Sequence, residues 1–330
     1  MPGNDPIEAA RIIRGELGEP NLPHLVELPD RGVGSDQLGR TAGMLLDLHV
    51  DVQPHGWRLV DRPGIDHRRA VSALRTDINV LADIVGEEEQ PGNSLKLRIM
   101  GPATMAAGLY LPAGERALSD YGARRDIADS LAAGAAGHVR DALRTSGLRD
   151  ITVQVDEPAL GDVLAGTIPT ASGYRTIRSI PRTEVTGWWA TMTAALLEAG
   201  ATEVVYAPTL AGDEPGKVFD AVFGAGAQGI CVPVADLTTL GWEHCAAAVE
   251  AGHSLWLGLL TPGLTPPKVT EAVNRVLRPW NQVGLGNASL GSLGLLPTQG
   301  LADHSPETVR GVLSRLTQIA DALDQVRLES

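Results

Sequence analysis

The residues best suited to chemistry stand at the end of a predicted strand, in the string QVDEP at positions 154–158. The run Ile151–Asp156 alternates apolar and polar side chains, which places Asp156 on the polar face of the strand. Glu157 follows on the opposite face, so the two carboxylates cannot act on one atom as a paired acid and base. We expect one carboxylate to face a cavity, where it suits a ligand ammonium or ring N–H, and the other to brace the loop.

A second strand carries a charged side chain in the same pattern. In the run Leu95–Met100, Arg98 lies on the polar face. In a parallel barrel the apolar faces meet the outer helices and the polar faces point inward. Arg98, Gln154 and Asp156 would then lie inside, with Asp156 at the carboxyl-terminal mouth, where such barrels carry their active sites. The alternative is a satisfied buried polar network without chemistry.

The elements that would position these residues alternate between short apolar runs and long amphipathic runs. Regular alternation of this kind predicts a parallel sheet with both faces covered. Residues 1–330 are therefore expected to form a single α/β domain, a (β/α)8 TIM-type barrel lacking its first strand, with a doubly wound sheet as the alternative. The candidate strands are Leu22–Leu28, Leu95–Met100, Ile151–Asp156, Glu203–Tyr206, Gly229–Val232, Ser254–Leu259 and Ser292–Leu296.

Smaller elements complete this pattern. The run Trp57–Val60 lies between turn residues and is typical of a hairpin arm. One long helix is expected from about Gly114 to Arg144, with a buried stripe at three- and four-residue spacing. Another is expected after Ser305, which suits a helix cap, with a proline in the first turn.

Composition limits the classes of partner. The 330 residues include 27 basic and 40 acidic side chains, and a net charge of −13 opposes binding to nucleic acid or to an anionic membrane surface. The hydrophobic fraction of 43% is enough for a full core, and no run is long enough to span a membrane. Two cysteines favour a reducing compartment, and residues 1–8 lack an apolar leader. We therefore expect a cytoplasmic protein.

Motifs spread over nearly the whole chain resemble the catalytic carboxyl-terminal barrel of cobalamin-independent methionine synthase, in its stand-alone form. The resemblance implies a (β/α)8 barrel that transfers a methyl group to homocysteine in methionine biosynthesis, with a zinc ion holding the thiolate. The matching strings, in order, are PGNDPIEAA at 2–10, ELPDRG at 27–32, GRT at 39–41, GPATM at 101–105, VQVDEPAL at 153–160, PTASG at 169–173, LPTQGLA at 296–302 and SPE at 305–307.

The resemblance also implies where zinc ligands would stand, and those positions carry other residues. A His-x-Cys pair would fall near Tyr206, an acidic ligand near Pro233 and a cysteine at Gln299. Gln is a poor zinc ligand, and Tyr and Pro do not replace the expected ones. We therefore expect a degenerate zinc site and no cofactor. The family's first strand, which holds the amino-acid carboxylate, also lacks a counterpart, so the gap near residues 1–10 is expected to be either open or covered by another chain.

Five residues are candidates for binding a substrate: Asp156, Glu157, Glu27, Arg98 and Thr104. Glu27 lies within one residue of a family glutamate that contacts the substrate amine. Thr104 belongs to the Gly-Pro-x-Thr string, after which the family places a tryptophan near its folate. The resemblance implies these roles, and the strand pattern independently favours Arg98 and Asp156.

Three readings of the function stay open, and with them the question whether the chain is an enzyme. The first is a divergent member of the family that binds a small molecule, such as an amino acid or a pterin, without the zinc-thiolate site. The second is an active homocysteine methyltransferase with an unrecognised metal site. The third is a metal-free lyase or decarboxylase, like uroporphyrinogen decarboxylase of the same barrel superfamily, using Arg31, Arg98 and Asp156. A homo-oligomer is compatible with each reading.

Overall fold

The centre of the fold is a parallel sheet of six strands whose spatial order is also their chain order. The computed structural model describes residues 1–210 and 215–329. A doubly wound sheet reverses its strand order at a switch point, so the sequential order argues against that alternative. The strands are β1 (His49–Gln53) and β2 (Gly56–Val60), paired as an antiparallel hairpin, and the sheet strands β3 (Ser94–Met100), β4 (Asp150–Glu157), β5 (Ala201–Pro208), β6 (Gly229–Pro233), β7 (Ser254–Leu260) and β8 (Leu293–Pro297).

Helices connect the strands and cover the outer face of the sheet. They are α1 (Pro6–Glu16), α2 (Gln37–Ala42), α3 (Ile65–Glu87), α4 (Pro102–Gly108), α5 (Tyr121–Ser146), α6 (Leu160–Ala165), α7 (Arg182–Glu198), α8 (Pro215–Gly224), α9 (Thr239–Glu250), α10 (Val269–Gln282) and α11 (Pro306–Leu328). Among the described residues, no helix is both long and apolar enough to cross a membrane.

The sheet curls around its polar face. In a flat sheet β3 and β7 would lie about 19 Å apart, because neighbouring strands are spaced by about 4.8 Å. The ammonium of Lys96 on β3 instead lies 5.4 Å from the ring centroid of Trp256 on β7. A side chain can make this contact only if the sheet bends so that its two ends approach each other. The result is a curled six-stranded half-barrel.

The predicted strand at Leu22–Leu28 is wrong as a full strand. This segment joins β3 only through a parallel bridge between His24 and Lys96, with hydrogen bonds of 2.8 Å and 2.9 Å on either side. Pro23 lacks an N–H donor, which limits the ladder it can form. Among the described residues no strand pairs with the far edge of β8. The sheet is therefore open between β8 and this segment.

The outward faces of the strands form the main core with the helices. On β3 the outward residues Leu95, Leu97 and Ile99 are almost completely buried, as the alternating pattern predicts. Helix α5 contributes its predicted stripe, including Ile127 and Leu131, which are fully buried. Each such side chain stabilises the fold by about 1.5–3 kcal/mol relative to an exposed one. The core therefore fixes the direction in which the polar faces point.

Two helix boundaries follow from their caps. Helix α5 begins at Tyr121, later than the sequence pattern indicated, because the side chain of Asp120 accepts a hydrogen bond from the N–H of Ala123 at 2.8 Å. Helix α11 begins as expected, with the Ser305 side chain accepting a hydrogen bond from the N–H of Thr308 at 3.1 Å.

Candidate functional site

The half-barrel encloses a cavity of about 1290 Å³. Every sheet strand contributes to its wall, which places the cavity inside the curl. It continues through the gap beside β8 towards the inner side of α11, including Leu316 and Leu323. The volume exceeds the range of about 300–1,000 Å³ that is common for ligand pockets, so a small molecule would fill only part of it. The strands β3 to β8 contribute, in chain order, the lining residues Arg98, Asp156, Ala207, Pro233, Trp256 and Leu296, among others.

Arg98 lies in this cavity between two carboxylates. Its Nε donates a hydrogen bond to Asp156 Oδ2, and its Nη1 lies 3.5 Å from Glu27 Oε2. Burial opposes the charge of Arg98, but Asp156 and Glu27 outweigh it and raise the pKa of Arg98 above its ordinary value. Its side chain remains 35% exposed, against 16% for Glu27 and 6% for Asp156. The guanidinium is thus the most accessible of the three charged groups.

Asp156 accepts hydrogen bonds from two further side chains. Gln154 Nε2 donates to Oδ1 at 2.7 Å, and Gln37 Nε2 donates to Oδ2 at 2.6 Å. Together with Arg98, these donors occupy most of the acceptor sites that a carboxylate offers. Asp156 therefore acts first as the anchor that orients Arg98 and both amides towards the cavity.

The position of Gln37 depends on the hairpin and on α2. Gln37 is the first residue of α2, whose preceding residue Asp36 caps the helix by accepting a hydrogen bond from the N–H of Gly39 at 2.8 Å. The indole of Trp57 on β2 donates to Asp36 at 3.3 Å and packs against Gly39. A Cβ at Gly39 would lie 2.3 Å from that ring, so only glycine fits there. This contact fixes the first turn of α2 over the barrel mouth.

Lys96 lies on the same strand face as Arg98, two residues earlier. Its Nζ donates to Gln154 Oε1 at 3.2 Å, which extends the polar network from Arg98 through Asp156 and Gln154. Burial lowers the pKa of Lys96, and the positive charge of Arg98 lowers it further. The interior therefore holds two cationic and several acidic side chains close together.

Glu157 and Thr104 lie away from the cavity. Glu157 is fully buried on the outer side of β4 and accepts hydrogen bonds from Thr104 N at 2.7 Å, Thr104 Oγ1 at 2.6 Å, Ala103 N at 3.1 Å and Trp189 Nε1 at 2.9 Å. Burial raises the pKa of Glu157, while these hydrogen bonds lower it in part. Both residues, offered by the sequence as substrate-binding candidates, instead hold the start of α4 against β4 and α7. Asp156, Arg98 and Glu27 are the three candidates that the structure brings together.

The positions implied for zinc ligands carry no thiolate, imidazole or carboxylate. The Tyr206 hydroxyl is fully buried outside the cavity, within hydrogen-bond distance of Thr193 Oγ1 and of the Trp189 carbonyl oxygen. Pro233 and Gln299 line the cavity, but they offer no ligand group and an amide, respectively. Across residues 1–210 and 215–329, no group of three His, Cys, Asp or Glu side chains is arranged to hold a metal ion. This donor set does not fit zinc.

Lys96, Gln37 and Trp256 are cavity residues that were not singled out from the sequence. Lys96 could have been found, because it shares the polar face of its strand with Arg98. Trp256 lies on the inner face of a nearly all-apolar strand, where alternation gives no signal. Gln37 reaches Asp156 from 119 residues earlier, and no local pattern predicts such a contact.

Arg31, which the lyase reading used, also lies elsewhere. Its Nη2 is 2.7 Å from Asp77 Oδ1, and Arg31 does not line the cavity. Of the three groups in that reading, only Arg98 and Asp156 meet at the mouth.

Comparison with known proteins gives a likeness in fold. No protein-family model matches the chain, and no curated protein matches it. Among solved structures, a B12-independent methionine synthase from Shewanella sp. W3-18-1, in complex with selenomethionine, superposes with a TM-score of 0.62 and 13% identity, over 98% of this chain and 89% of that one. The fold is methionine-synthase-like. The carboxyl transferase domain of pyruvate carboxylase from Rhizobium etli superposes with a TM-score of only 0.29 and 10% identity, over 99% of this chain and 51% of that one.

The methionine-synthase-like fold agrees with the motif resemblance and with the half-barrel. At 13% identity it shows a related architecture and assigns no substrate. The function must therefore be argued from the cavity itself.

Proposed function

We propose that the chain binds a small zwitterionic ligand of the amino-acid class in the barrel cavity, without zinc-thiolate chemistry. The observation that carries the proposal is Arg98, held by Asp156 and flanked by Glu27 in a cavity of about 1290 Å³. A guanidinium fixed in this way suits a ligand carboxylate. Glu27, beside it, suits the ligand ammonium.

Because Arg98 is cationic and Glu27 beside it is anionic, the site favours a ligand that carries both a carboxylate and an ammonium group. A ligand with only a carboxylate would leave Glu27 without a partner, and one with only an ammonium would leave Arg98 without one. A zwitterion matches both signs at once. A pterin, whose ring N–H groups could pair with a carboxylate, is the second ligand class to test, because Glu27 is a partly exposed acceptor.

Methyl transfer through zinc has no support in the donor set of this cavity. In the resembling family a zinc ion holds the thiolate, and the three implied ligand positions hold Tyr206, Pro233 and Gln299. The divergent small-molecule-binding reading therefore fits the cavity better than an active homocysteine methyltransferase does.

The test is a calorimetric titration of the full chain with L-methionine, L-glutamate and folic acid. We expect one of these probes to bind, and Asp156→Asn to weaken that binding by at least about tenfold, or about 1.4 kcal/mol, because Arg98 loses its anionic anchor. Asp61→Asn, at an exposed position, is the matched control and should bind as the wild type does. Equal affinity in the Asp156→Asn and wild-type proteins, or no binding of any probe, would contradict the proposal.

A further inference from the structure

Lys96 has an unusual environment for a lysine. Lysine side chains are rarely buried without an acidic partner, because the charged form loses its hydration. Among the described residues, no carboxylate lies within ion-pair distance of Lys96, and its hydrogen-bond acceptor is the neutral Gln154 amide at 3.2 Å. The ring of Trp256 covers the ammonium at 5.4 Å. Nothing in these contacts neutralises the charge.

The charged and titratable groups that face Lys96 act in both directions. Burial is the largest influence and lowers the pKa of Lys96, and Arg98 lowers it as well. The carboxylates of Asp156 and Glu27 act in the opposite sense and are smaller influences than burial and Arg98. Burial raises the pKa of Cys231 to about 12, so that thiol stays protonated and uncharged near neutral pH. His24, which like Lys96 is half-buried, pairs with it across a parallel bridge, and desolvation and the Lys96 charge hold the pKa of His24 well below its ordinary value.

We infer that Lys96 is an amine nucleophile that forms an imine with a 2-oxo acid bound in the barrel cavity. The inference rests on the proposed function in one respect, since the same cavity must admit a small carboxylate ligand. It adds a covalent step and a substrate class, because a 2-oxo acid carries a carbonyl carbon next to its carboxylate.

The geometry of β3 suits this pair of functional groups. Lys96 and Arg98 are two residues apart on one strand face, so their Cα atoms are separated by about 6.6 Å. Both side chains line the cavity. Arg98 can therefore bind the carboxylate of a 2-oxo acid while the adjacent carbonyl carbon lies towards the nitrogen of Lys96.

The step balances without an oxidant or a metal. Lys96 loses one proton to solvent, and its free amine adds to the carbonyl carbon to give a carbinolamine. In the carbinolamine one nitrogen proton has moved to the former carbonyl oxygen. This hydroxyl leaves with the remaining nitrogen proton as water, which gives a C=N bond, and the imine nitrogen takes back one proton from solvent. A lysine with a lowered pKa is suited to this chemistry, because a larger fraction of it is the free amine near neutral pH.

The test traps the imine in the intact chain. Glyoxylate is incubated with the protein at neutral pH in the presence of sodium cyanoborohydride, which reduces an imine to a stable secondary amine, and the modified lysines are identified by peptide mass spectrometry. The chain has three lysines, and Lys217 and Lys268, which are exposed, serve as internal references. We expect the rate of modification at Lys96 to be at least about tenfold higher than at Lys268, because binding of the glyoxylate carboxylate raises the effective concentration of its carbonyl group near Lys96.

Two variants control the result. Lys96→Arg keeps a positive charge but cannot form the imine, so the fast labelling should vanish, whereas Lys268→Arg should leave it intact. The rate at Lys96 should also rise with pH earlier than the rate at Lys268, because a lowered pKa yields free amine at lower pH. Labelling of Lys96 no faster than that of Lys268 would overturn the inference.

The failures of the two proposals can be told apart. Amino-acid binding that depends on Asp156, with no selective labelling of Lys96, would remove the imine and leave the binding proposal. Selective labelling of Lys96, with no amino-acid binding by calorimetry, would support the imine and remove the zwitterion proposal.

Discussion

Asp156 and Glu157 are adjacent carboxylates with separate surroundings. Successive side chains of β4 point to opposite faces, so Asp156 enters the cavity beside Arg98 while Glu157 enters the core between β4, α4 and α7. The first meets side-chain donors that also face a ligand, and the second meets the backbone N–H groups at the start of α4. One string of sequence thus supplies an anchor for the cavity and an anchor for the scaffold.

Removal of Glu157 should therefore damage the scaffold. In Glu157→Ala, the N–H groups of Ala103 and Thr104 and the indole of Trp189 lose their acceptor inside the core. A buried donor left without a partner costs about 1–3 kcal/mol, and we expect the free energy of unfolding in urea to fall by about 3 kcal/mol or more. Glu250→Ala, at an exposed position on α9, should change it by less than about 0.5 kcal/mol. Equal stabilities of the two variants would contradict this assignment.

At the scale of single residues, sequence alternation predicted what lies on each strand face. It placed Arg98, Gln154 and Asp156 inward, and all three line the cavity. It could not predict Gln37, because that contact depends on how α2 is seated by Trp57 of the hairpin. Side chains brought together by tertiary packing leave no local periodicity to detect.

At the scale of elements, α3 ties the loops of the mouth to the scaffold. Asp77 of α3 is fully buried and pairs with both Arg31 and Arg40. Arg31 follows the Glu27 segment and Arg40 belongs to α2, which carries Gln37. One carboxylate therefore holds both segments that reach Asp156 or Arg98 from outside the sheet.

Loss of this carboxylate should destabilise the fold and disturb the site together. Asp77→Ala leaves the Arg40 side chain, only 3% exposed, charged and without its partner. We expect the free energy of unfolding to fall by about 3–5 kcal/mol, as when one member of a buried ion pair is removed. Asp83→Ala, at an exposed position of the same helix, is the control and should lie within about 0.5 kcal/mol of wild type in urea unfolding. A loss of stability no larger than that of the control would show that Asp77 does not hold these segments.

The partners of a strand were harder to predict than its apolar run. The six sheet strands agree with the predicted runs within a few residues, because their apolar faces are strictly placed. The run Leu22–Leu28 has the same composition, yet it pairs with β3 only around His24. A strand needs hydrogen-bond partners as well as apolar side chains, and the partner across the gap from β8 is not among the described residues.

At the scale of the whole molecule, the structure is an open, methionine-synthase-like half-barrel around one large cavity. Its likeness in fold coexists with donor groups that do not suit zinc, since Tyr206 points outward and Pro233 and Gln299 supply no thiolate, imidazole or carboxylate. Affinity for zinc depends on just those ligands. We propose that this architecture serves a cavity built on Arg98 and Asp156 that works without zinc.

The most direct test of that claim is the zinc content per chain, measured by mass spectrometry of the metal in tag-free protein purified from zinc-replete medium. A structural or catalytic zinc site with its full ligand set binds tightly enough to survive purification. We predict zinc far below one ion per chain, equal in the wild type and in Gln299→Ala. Zinc close to one ion per chain would contradict the account, because it would require a ligand set that the described residues do not form.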